Sequence, residues 1–403
     1  MEVSARRRNH IEQRMNSKRS ILIVGAGEFG LTAALELLRR TWAVTVIDPG
    51  PIPRDSAAST DISKVVRMDY GADEQHTALG EAAITGWHLW NRQWGASLYH
   101  EDGFLVLARG AMQPGGFEHE SFSKLAARGH KLERLNAAAL RRRFPAWTAE
   151  IYPDGYFNPR GGWAESGNVI ARLAAQARVD GVAVREGVAF QRLIESGSRV
   201  TGVVTAAGEE LRADFVLVAA GAWTPTLLPH LSPFMWATGQ SVVHLHVANP
   251  REWQAPRFPV WAADIARTGW YGFPALDDGR LKVANHGPGR RVHPDEPRVV
   301  LESDIARFRE FLRDSLPALA DAPIVGTRLC LYCDTFDGNF WIDHAPARPG
   351  LVVATGDSGH AFKFAPVLGG LIADAVEHKP NPFLARYAWR EQKFKAAESA
   401  RAT

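Results

Sequence analysis

The run Ser20-Ile-Leu-Ile-Val24 passes directly into Gly25-Ala26-Gly27-Glu28-Phe29-Gly30, and this junction restricts the possible folds more than anything else in the chain. A short apolar run of this kind reads as a strand of a parallel sheet, buried on both faces. After the glycines, Leu31, Leu35 and Leu38 fall at i, i+4 and i+7, which predicts a helix with one apolar face. Arg39 and Arg40 follow where a helix C-terminus favours cations. A second apolar run, Ala43 to Ile47, ends at Asp48. The whole is a β-α-β unit with a dinucleotide fingerprint. Gly25 permits the tight turn, Gly27 lets the backbone approach a pyrophosphate, and Gly30 lets the helix pack on the strand. Glu28 and Phe29 complete the loop and are counted among the cofactor contacts. The helix N-terminus offers N–H groups to phosphates. Asp48, 18 residues after Gly30, is placed to accept hydrogen bonds from both ribose hydroxyls. Its charge would repel a 2′-phosphate, so NADP is disfavoured. The unit alone does not separate FAD from NAD.

The 403 residues suffice for two domains and a sizeable core. A content of 46% hydrophobic and 23% charged residues is ordinary for a soluble globular protein. The net charge is +3, and Arg6, Arg7, Arg8, Arg14, Lys18 and Arg19 all precede Ile21, so the rest is about neutral or slightly acidic. Nucleic acid is not an expected partner, because its binding requires a basic face. The basic opening lacks the apolar stretch of a secretory signal and reads as a solvated tail, with an Arg-rich organelle presequence as the alternative. No run approaches the roughly 18 apolar residues of a membrane span. The closing Ala-Arg-Ala-Thr is no peroxisomal address. Two cysteines make no disulfide framework, which fits a reducing cytoplasm.

Further along, Leu79, Ala83, Trp87, Trp90 and Trp94 share one helical face between Asp73 and Trp94, the pattern of a core stripe. A β-rich stretch begins near Val182 and closes on Phe215-Val-Leu-Val-Ala-Ala-Gly-Ala222, with a helix expected next: a second return to the nucleotide sheet. Residues Ser232 to Pro323 are Trp- and Pro-rich and predict a second domain, an antiparallel sheet with a helix from about Glu302 to Ser315. Leu351 to Thr355, followed by Gly356-Asp-Ser-Gly-His360, is a third return, with a helix starting near Pro366. The predicted fold class is α/β. A Rossmann-like, glutathione-reductase-like nucleotide domain is assembled from residues 20–98, 158–232 and 326–390. An α+β substrate domain, residues 99–157 and 233–325, is inserted into it, and residues 1–19 and 391–403 form tails.

The most distinctive stretch is Cys330-Leu-Tyr-Cys-Asp-Thr-Phe-Asp-Gly-Asn-Phe-Trp-Ile-Asp343. A Cys-x-x-Cys pair forms a redox dithiol when it opens a helix, but this one lies in an aromatic, strand-like run. As half of a zinc site it lacks a second cysteine pair, and His344 is the only nearby imidazole, so no metal is expected. Two inert buried thiols are the third possibility. Other pronounced stretches are Thr60-Asp-Ile-Ser-Lys-Val-Val-Arg67, Tyr271-Gly-Phe-Pro274, Leu281-Lys-Val-Ala-Asn-His286 and Gly359-His-Ala-Phe-Lys-Phe364. With these, nearly all of residues 20–390 resembles the monomeric sarcosine oxidase group of the glycine oxidase and D-amino-acid oxidase superfamily. That group includes the fructosyl-amino-acid, pipecolate and saccharopine oxidases.

The resemblance implies FAD, joined by a thioether from Cys330 to the flavin 8α-methyl, with Cys333 a bystander. It implies that Gly359, His360, Phe362 and Lys363 lie under the flavin ring, and that Lys363 and Arg67 together hold a substrate carboxylate. A guanidinium fork and an ammonium on one carboxylate orient it strongly. Lys282 would sit over the flavin and promote its reaction with oxygen, since a preorganised cation in a low-dielectric site stabilises negative charge as it forms. Tyr271 and His286 would shape the substrate side of the ring, unless they are a core tyrosine and a surface histidine. Lys64 stands where sarcosine oxidases carry arginine, and Ser59, Thr60 and Asp61 replace a His-rich approach. Lysine there is more like the fructosyl-amino-acid and opine-type oxidases, so Lys64 counts as both a cofactor contact and a catalytic group. Trp236, Trp253, Trp261 and Trp270 would suit a larger or apolar N-substituent, unless they are core.

The expected activity is oxidation of the C–N bond of a secondary amino acid to an imine, with O₂ reduced to H₂O₂. The expected partners are a small amino-acid-type substrate and O₂, in a monomer without membrane attachment. The alternatives are a dehydrogenase of the same fold serving a non-oxygen acceptor, or a deglycating fructosyl-amino-acid oxidase. An NAD-dependent dehydrogenase and a flavoprotein kept only for binding are more distant.

Overall fold

The computed structural model describes residues 19–391, so the two predicted tails lie almost wholly outside the described residues. Strand Ser20–Val24 pairs in parallel with Ala43–Asp48 across helix Glu28–Arg39, as the fingerprint requires. They belong to a six-stranded sheet in the order Trp341–His344, Leu351–Thr355, Phe215–Val218, Ser20–Val24, Ala43–Asp48, Ala183–Glu186. All its pairings are parallel except that of Trp341–His344. Both later returns to the sheet, Phe215–Val218 and Leu351–Thr355, are therefore present.

The uninterrupted apolar runs have a direct cause. Ile21 and Ile23 face a core of helices that includes Leu31, Leu173 and Leu368. Leu22 and Val24 point the other way, onto Val200 and Val203 of a three-stranded antiparallel sheet formed by Phe190–Ser196, Arg199–Thr205 and Glu210–Arg212. Covered on both faces, the central strands have no use for alternating polar residues. Arg40, at the end of the first helix, bonds Asp374 at 2.7 Å and Glu377 at 2.9 Å, tying that helix to Ala365–Val376.

The second sheet has nine strands, with Met235–His246 and Ile324–Thr335 forming its long antiparallel pair. It is mixed rather than wholly antiparallel, because Val260–Ala263 runs parallel to Phe104–Ala108 and joins two distant parts of the chain. The strand Ile324–Thr335, which carries Cys330, lies in this sheet, so a division at residue 326 falls inside one of its strands. The helix Glu302–Ser315 covers one face through Phe308, Phe311 and Leu312.

One local expectation is corrected and one open alternative is resolved. The helix expected after Ala222 shrinks to a 3₁₀ turn, Gly221–Trp223, and a single turn, Thr224–Leu227. Pro229 cannot continue a helix, and it pushes the residue before it out of the helical region. Of the two readings of Trp236, Trp253, Trp261 and Trp270, packing against the core is the one the structure gives. Trp261 is fully buried and stacks on Phe311, which also stacks on Trp270. Trp253 packs on Phe258, and Trp236 lies under Arg291. No helix among the described residues is long and apolar enough to cross a membrane.

Candidate active site

A cleft opens where the parallel strands end, and Gly25, Gly27, Glu28, Phe29 and Asp48 line it. Gly25 has φ +106°, and a Cβ there would stand 2.5 Å from the Ala219 carbonyl oxygen. A Cβ on Gly30 would stand 1.9 Å from the Gly25 carbonyl oxygen, so both glycines are dictated by close backbone approach. Gly27 caps the helix with no side-chain hydrogen bond, leaving the N–H groups of the first turn for an anion. The glycine cradle and the uncapped helix fit a dinucleotide. Asp48 braces the loop as well: its carboxylate accepts from the Ala26 N–H at 3.0 Å and the Gly50 N–H at 3.1 Å. Glu28 and Asp357 are two further buried carboxyls at this cleft. Burial, with the nearby Glu28 charge, pushes Asp357 up to about 7 against hydrogen bonds from the Cys333 and Gly359 backbone.

Cys330 and Cys333 are free and buried three residues apart on one strand, so their side chains point to opposite faces. Cys330 packs with Tyr332 and Ala58, whereas Cys333 packs with Leu22, Val24 and Trp341. Burial, with help from Asp357, pushes the Cys333 thiol up to about 12. A redox dithiol is thereby excluded. Among the described residues no group of three or more His, Cys, Asp or Glu is arranged to hold a metal ion.

A second cavity, of about 460 Å³, is lined by seven of the residues the sequence singled out: Lys64, Arg67, Tyr271, His286, Gly359, His360 and Phe362. Gly359 has φ +75°, and a Cβ on it would stand 2.2 Å from the Tyr332 ring. Much of the wall is aromatic, with Tyr70, Phe104, Phe117, Phe273 and Tyr332. Arg67 Cζ lies 4.7 Å from the centroid of the Tyr70 ring, and its Nη1 is buried with no hydrogen-bond partner. Lys363 is buried and does not line this cavity. Its Nζ donates to the His360 carbonyl at 2.6 Å and lies 5.4 Å from the same Tyr70 ring. The two cations chosen for a carboxylate thus flank one tyrosine, but only Arg67 faces the open space.

Lys282 lies behind the cavity wall, fully buried. Its Nζ donates to Asp61 Oδ2 at 2.5 Å and to the Ser63 carbonyl at 2.7 Å. Burial lowers Lys282 to about 8, with Lys64 adding to that effect and Asp61 opposing it. Burial works against the Asp61 charge too, but Lys282, His244 and Lys64 outweigh it and hold that carboxyl well below its ordinary value. Lys64 Nζ sits 3.7 Å from Cys330 Sγ. Burial opposes its charge as well, yet Cys330, Asp61 and Tyr271 together raise it. One compact group thus joins Lys282, Asp61, Lys64 and Cys330 beside the cavity. Asp61, Tyr70 and Glu118 belong to the site but were not singled out from the sequence. Asp61 stood in the motif only as a departure from a His-rich pattern, and its partner is 221 positions away.

Residues 20–375 match the family described as FAD dependent oxidoreductase, DAO. L-saccharopine oxidase of Schizosaccharomyces pombe is 29% identical over 399 residues, covering 89% of this chain and 90% of that protein. N-methyl-L-tryptophan oxidase of Citrobacter koseri is 29% identical over 374 residues, covering 91% of this chain and 96% of that protein. Among solved structures, the fructosyl amine:oxygen oxidoreductase (Amadoriase I) of Aspergillus fumigatus superposes with a TM-score of 0.81 at 26% identity, covering 95% of this chain and 92% of that one.

Proposed function

This chain belongs to the DAO family of FAD dependent oxidoreductases, and from that premise we propose that it oxidises the C–N bond of a secondary amino acid to an imine, with O₂ as the acceptor and H₂O₂ as the second product. The relatives support this substrate class, being named for saccharopine, N-methyl-tryptophan and fructosyl amines. In this reading the six-stranded sheet and its helices are a Rossmann-like, glutathione-reductase-like domain, and the nine-stranded sheet belongs to an inserted substrate domain. Gly25, Gly27, Glu28, Phe29, Gly30 and Asp48 would hold the nucleotide part of FAD, with Cys330 and Lys64 toward its reactive end. Bound FAD supplies the two-electron acceptor for the carbon beside the nitrogen.

The chain's own work is to bind, orient and keep water out. Arg67 takes the substrate carboxylate, Tyr271 and His286 bound the reacting end, and the aromatic wall excludes solvent. Fixing the carboxylate fixes the distance and angle of the reacting carbon, where most of a positioning effect arises. A dry pocket also disfavours the ammonium form of the substrate, keeping its amine neutral without a protein base. The observation that carries the reading is the buried, unpartnered Nη1 of Arg67 inside an aromatic cavity. Such a group is costly unless a ligand anion completes it.

The test is peroxide release and oxygen uptake by the FAD-loaded enzyme across N-alkyl, cyclic and glycated amino acids. Equimolar peroxide with at least one class is expected. No turnover of any class removes the substrate assignment, and flavin reduction without oxygen uptake removes the oxidase assignment.

Flavin attachment is read separately. Acid precipitation is expected to leave the yellow colour in the pellet for the wild type and for Cys333→Ala, and to release it for Cys330→Ala. A colourless wild-type pellet would end the Cys330 assignment without touching the fold.

A further inference from the structure

Two side chains lining the aromatic cavity each hold a buried polar atom with no partner, Arg67 Nη1 and Glu118 Oε1. Their chemistry is opposite: one donates hydrogen bonds and the other accepts them. A substrate carboxylate completes Arg67, but nothing in the proposed reaction uses Glu118. This residue lies in the first turn of helix Phe117–Ala127, next to Phe117, whose ring centroid is 5.7 Å from Arg67 Cζ. It therefore shares a wall with the carboxylate-binding group. Burial pushes the carboxyl up and Asp264 adds to that, against hydrogen bonds from the backbone N–H groups of Glu118 and Ala266 and the charge of Arg267, yet Oε1 itself is left without a partner. Arg267 is committed elsewhere: it bonds Asp264 at 3.2 Å, and its side chain is 68% exposed. The nearby surface is hydrocarbon, from Phe104, Phe117, Ile265 and Phe273. An apolar ligand arm would leave Oε1 unpaired, and an arm ending in an anion would be repelled.

We propose that Glu118 is a specificity-determining residue whose Oε1 accepts a hydrogen bond from an ammonium or hydroxyl carried by the substrate beyond its carboxylate and its reacting amine. This rests on reading the cavity as the site of a carboxylated amine, and it narrows that class to substrates with a donor-bearing arm. Burying an acceptor without a partner costs free energy that a well-placed donor restores, and a hydrogen bond to a charged group is worth about a tenfold or larger change in affinity.

The experiment measures binding rather than turnover, so its failure is distinct from failure of the oxidase reading. Three series of simple carboxylates, with chains of about four to eight carbons, end in a methyl, a hydroxyl or an ammonium group. Affinities for the FAD-loaded protein are read by calorimetry and by perturbation of the flavin spectrum. At the best chain length the wild type is expected to bind both donor-ended acids about tenfold or more tightly than the methyl-ended one. Glu118→Gln keeps an acceptor but removes the charge, so the ammonium preference is expected to vanish while part of the hydroxyl preference remains. Glu118→Leu is expected to erase both. Equal wild-type affinities at every length overturn the proposal whether or not a variant folds, as does a donor preference that persists in Glu118→Leu.

Discussion

Lys282→Met is expected to slow reoxidation of the reduced flavin by oxygen about a hundredfold while leaving its reduction by substrate close to the wild-type rate. The magnitude follows from the typical ~3 kcal/mol supplied by a preorganised charge-stabilising group in a dry site. The structure refines where that charge comes from. Lys282 is paired with Asp61, so the ammonium alone is largely neutralised by its neighbour. Lys64 brings a second, half-buried cation into the same group, and two ammonium groups against one carboxylate leave a net positive charge. Methionine at 282 keeps the length and cancels that excess. Burial brings Lys282 down to about 8, so the ammonium is present below that pH and lost above it. The oxygen step in the wild type is therefore expected to fall as pH rises through about 8, and Lys282→Met is expected to lack that limb. Stopped-flow measurement separates the phases: anaerobic bleaching by substrate, then recovery of the oxidised spectrum on mixing with oxygen. Because methionine leaves Asp61 buried without its partner, the double variant Lys282→Met/Asp61→Asn serves as the control for damage to folding. Equal loss in both phases would make Lys282 a structural or substrate-binding group and remove the main argument for an oxidase.

The parts of this molecule that could be read from sequence are those whose cause is local. Gly30 is dictated by the Gly25 carbonyl five positions earlier, and Gly25 by the φ of +106° that the strand-to-helix turn imposes; the Ala219 carbonyl, on a distant strand, only adds to the second requirement. The strands Phe215–Val218 and Leu351–Thr355 were visible because burial on both faces writes itself as an unbroken apolar run. Cys330 and Cys333 were legible as strand residues from their aromatic neighbours, and their opposite faces then follow from the pleat. What escaped was set by distant partners. Asp61 reads as an ordinary loop carboxylate until Lys282 is folded against it. Glu118 resembles any helix-opening acid, and nothing local shows that it lines a cavity with one oxygen buried and unpartnered. The tryptophans of the second domain read equally as pocket or core, and helix Glu302–Ser315 decides that by delivering Phe308 and Phe311 onto Trp261 and Trp270. The parallel pairing of Phe104–Ala108 with Val260–Ala263 had no sequence signal, since both runs would suit either direction.

Arg67→Ala is expected to lower kcat/KM for a carboxylated amine by about ten- to a hundredfold, mostly through KM, because it removes a charged hydrogen bond of roughly 1.5–3 kcal/mol. Lys363→Ala is expected to cost less, and the difference comes from what each cation does without ligand. Arg67 faces the cavity with Nη1 unpartnered, so binding a carboxylate completes a bond that the free protein lacks. Lys363 already donates to the His360 carbonyl at 2.6 Å, and to reach a ligand it would have to exchange one hydrogen bond for another. Arg67 is also held by aromatic faces, with Cζ 4.7 Å from Tyr70, 5.7 Å from Phe117 and 6.0 Å from Phe104. Arg67→Lys keeps the charge but loses the planar fork and the stacking, so only partial recovery is expected. The comparison that gives these numbers meaning is an amine matched in every respect but lacking the carboxylate. It is expected to be a poor substrate for the wild type, and Arg67→Ala should scarcely change its kinetics, because the deleted group has nothing to hold. Steady-state kinetics on the matched pair across the four proteins decides the matter. If the amine without a carboxylate turns over as well as its partner, Arg67 has another task and the substrate is not an amino acid.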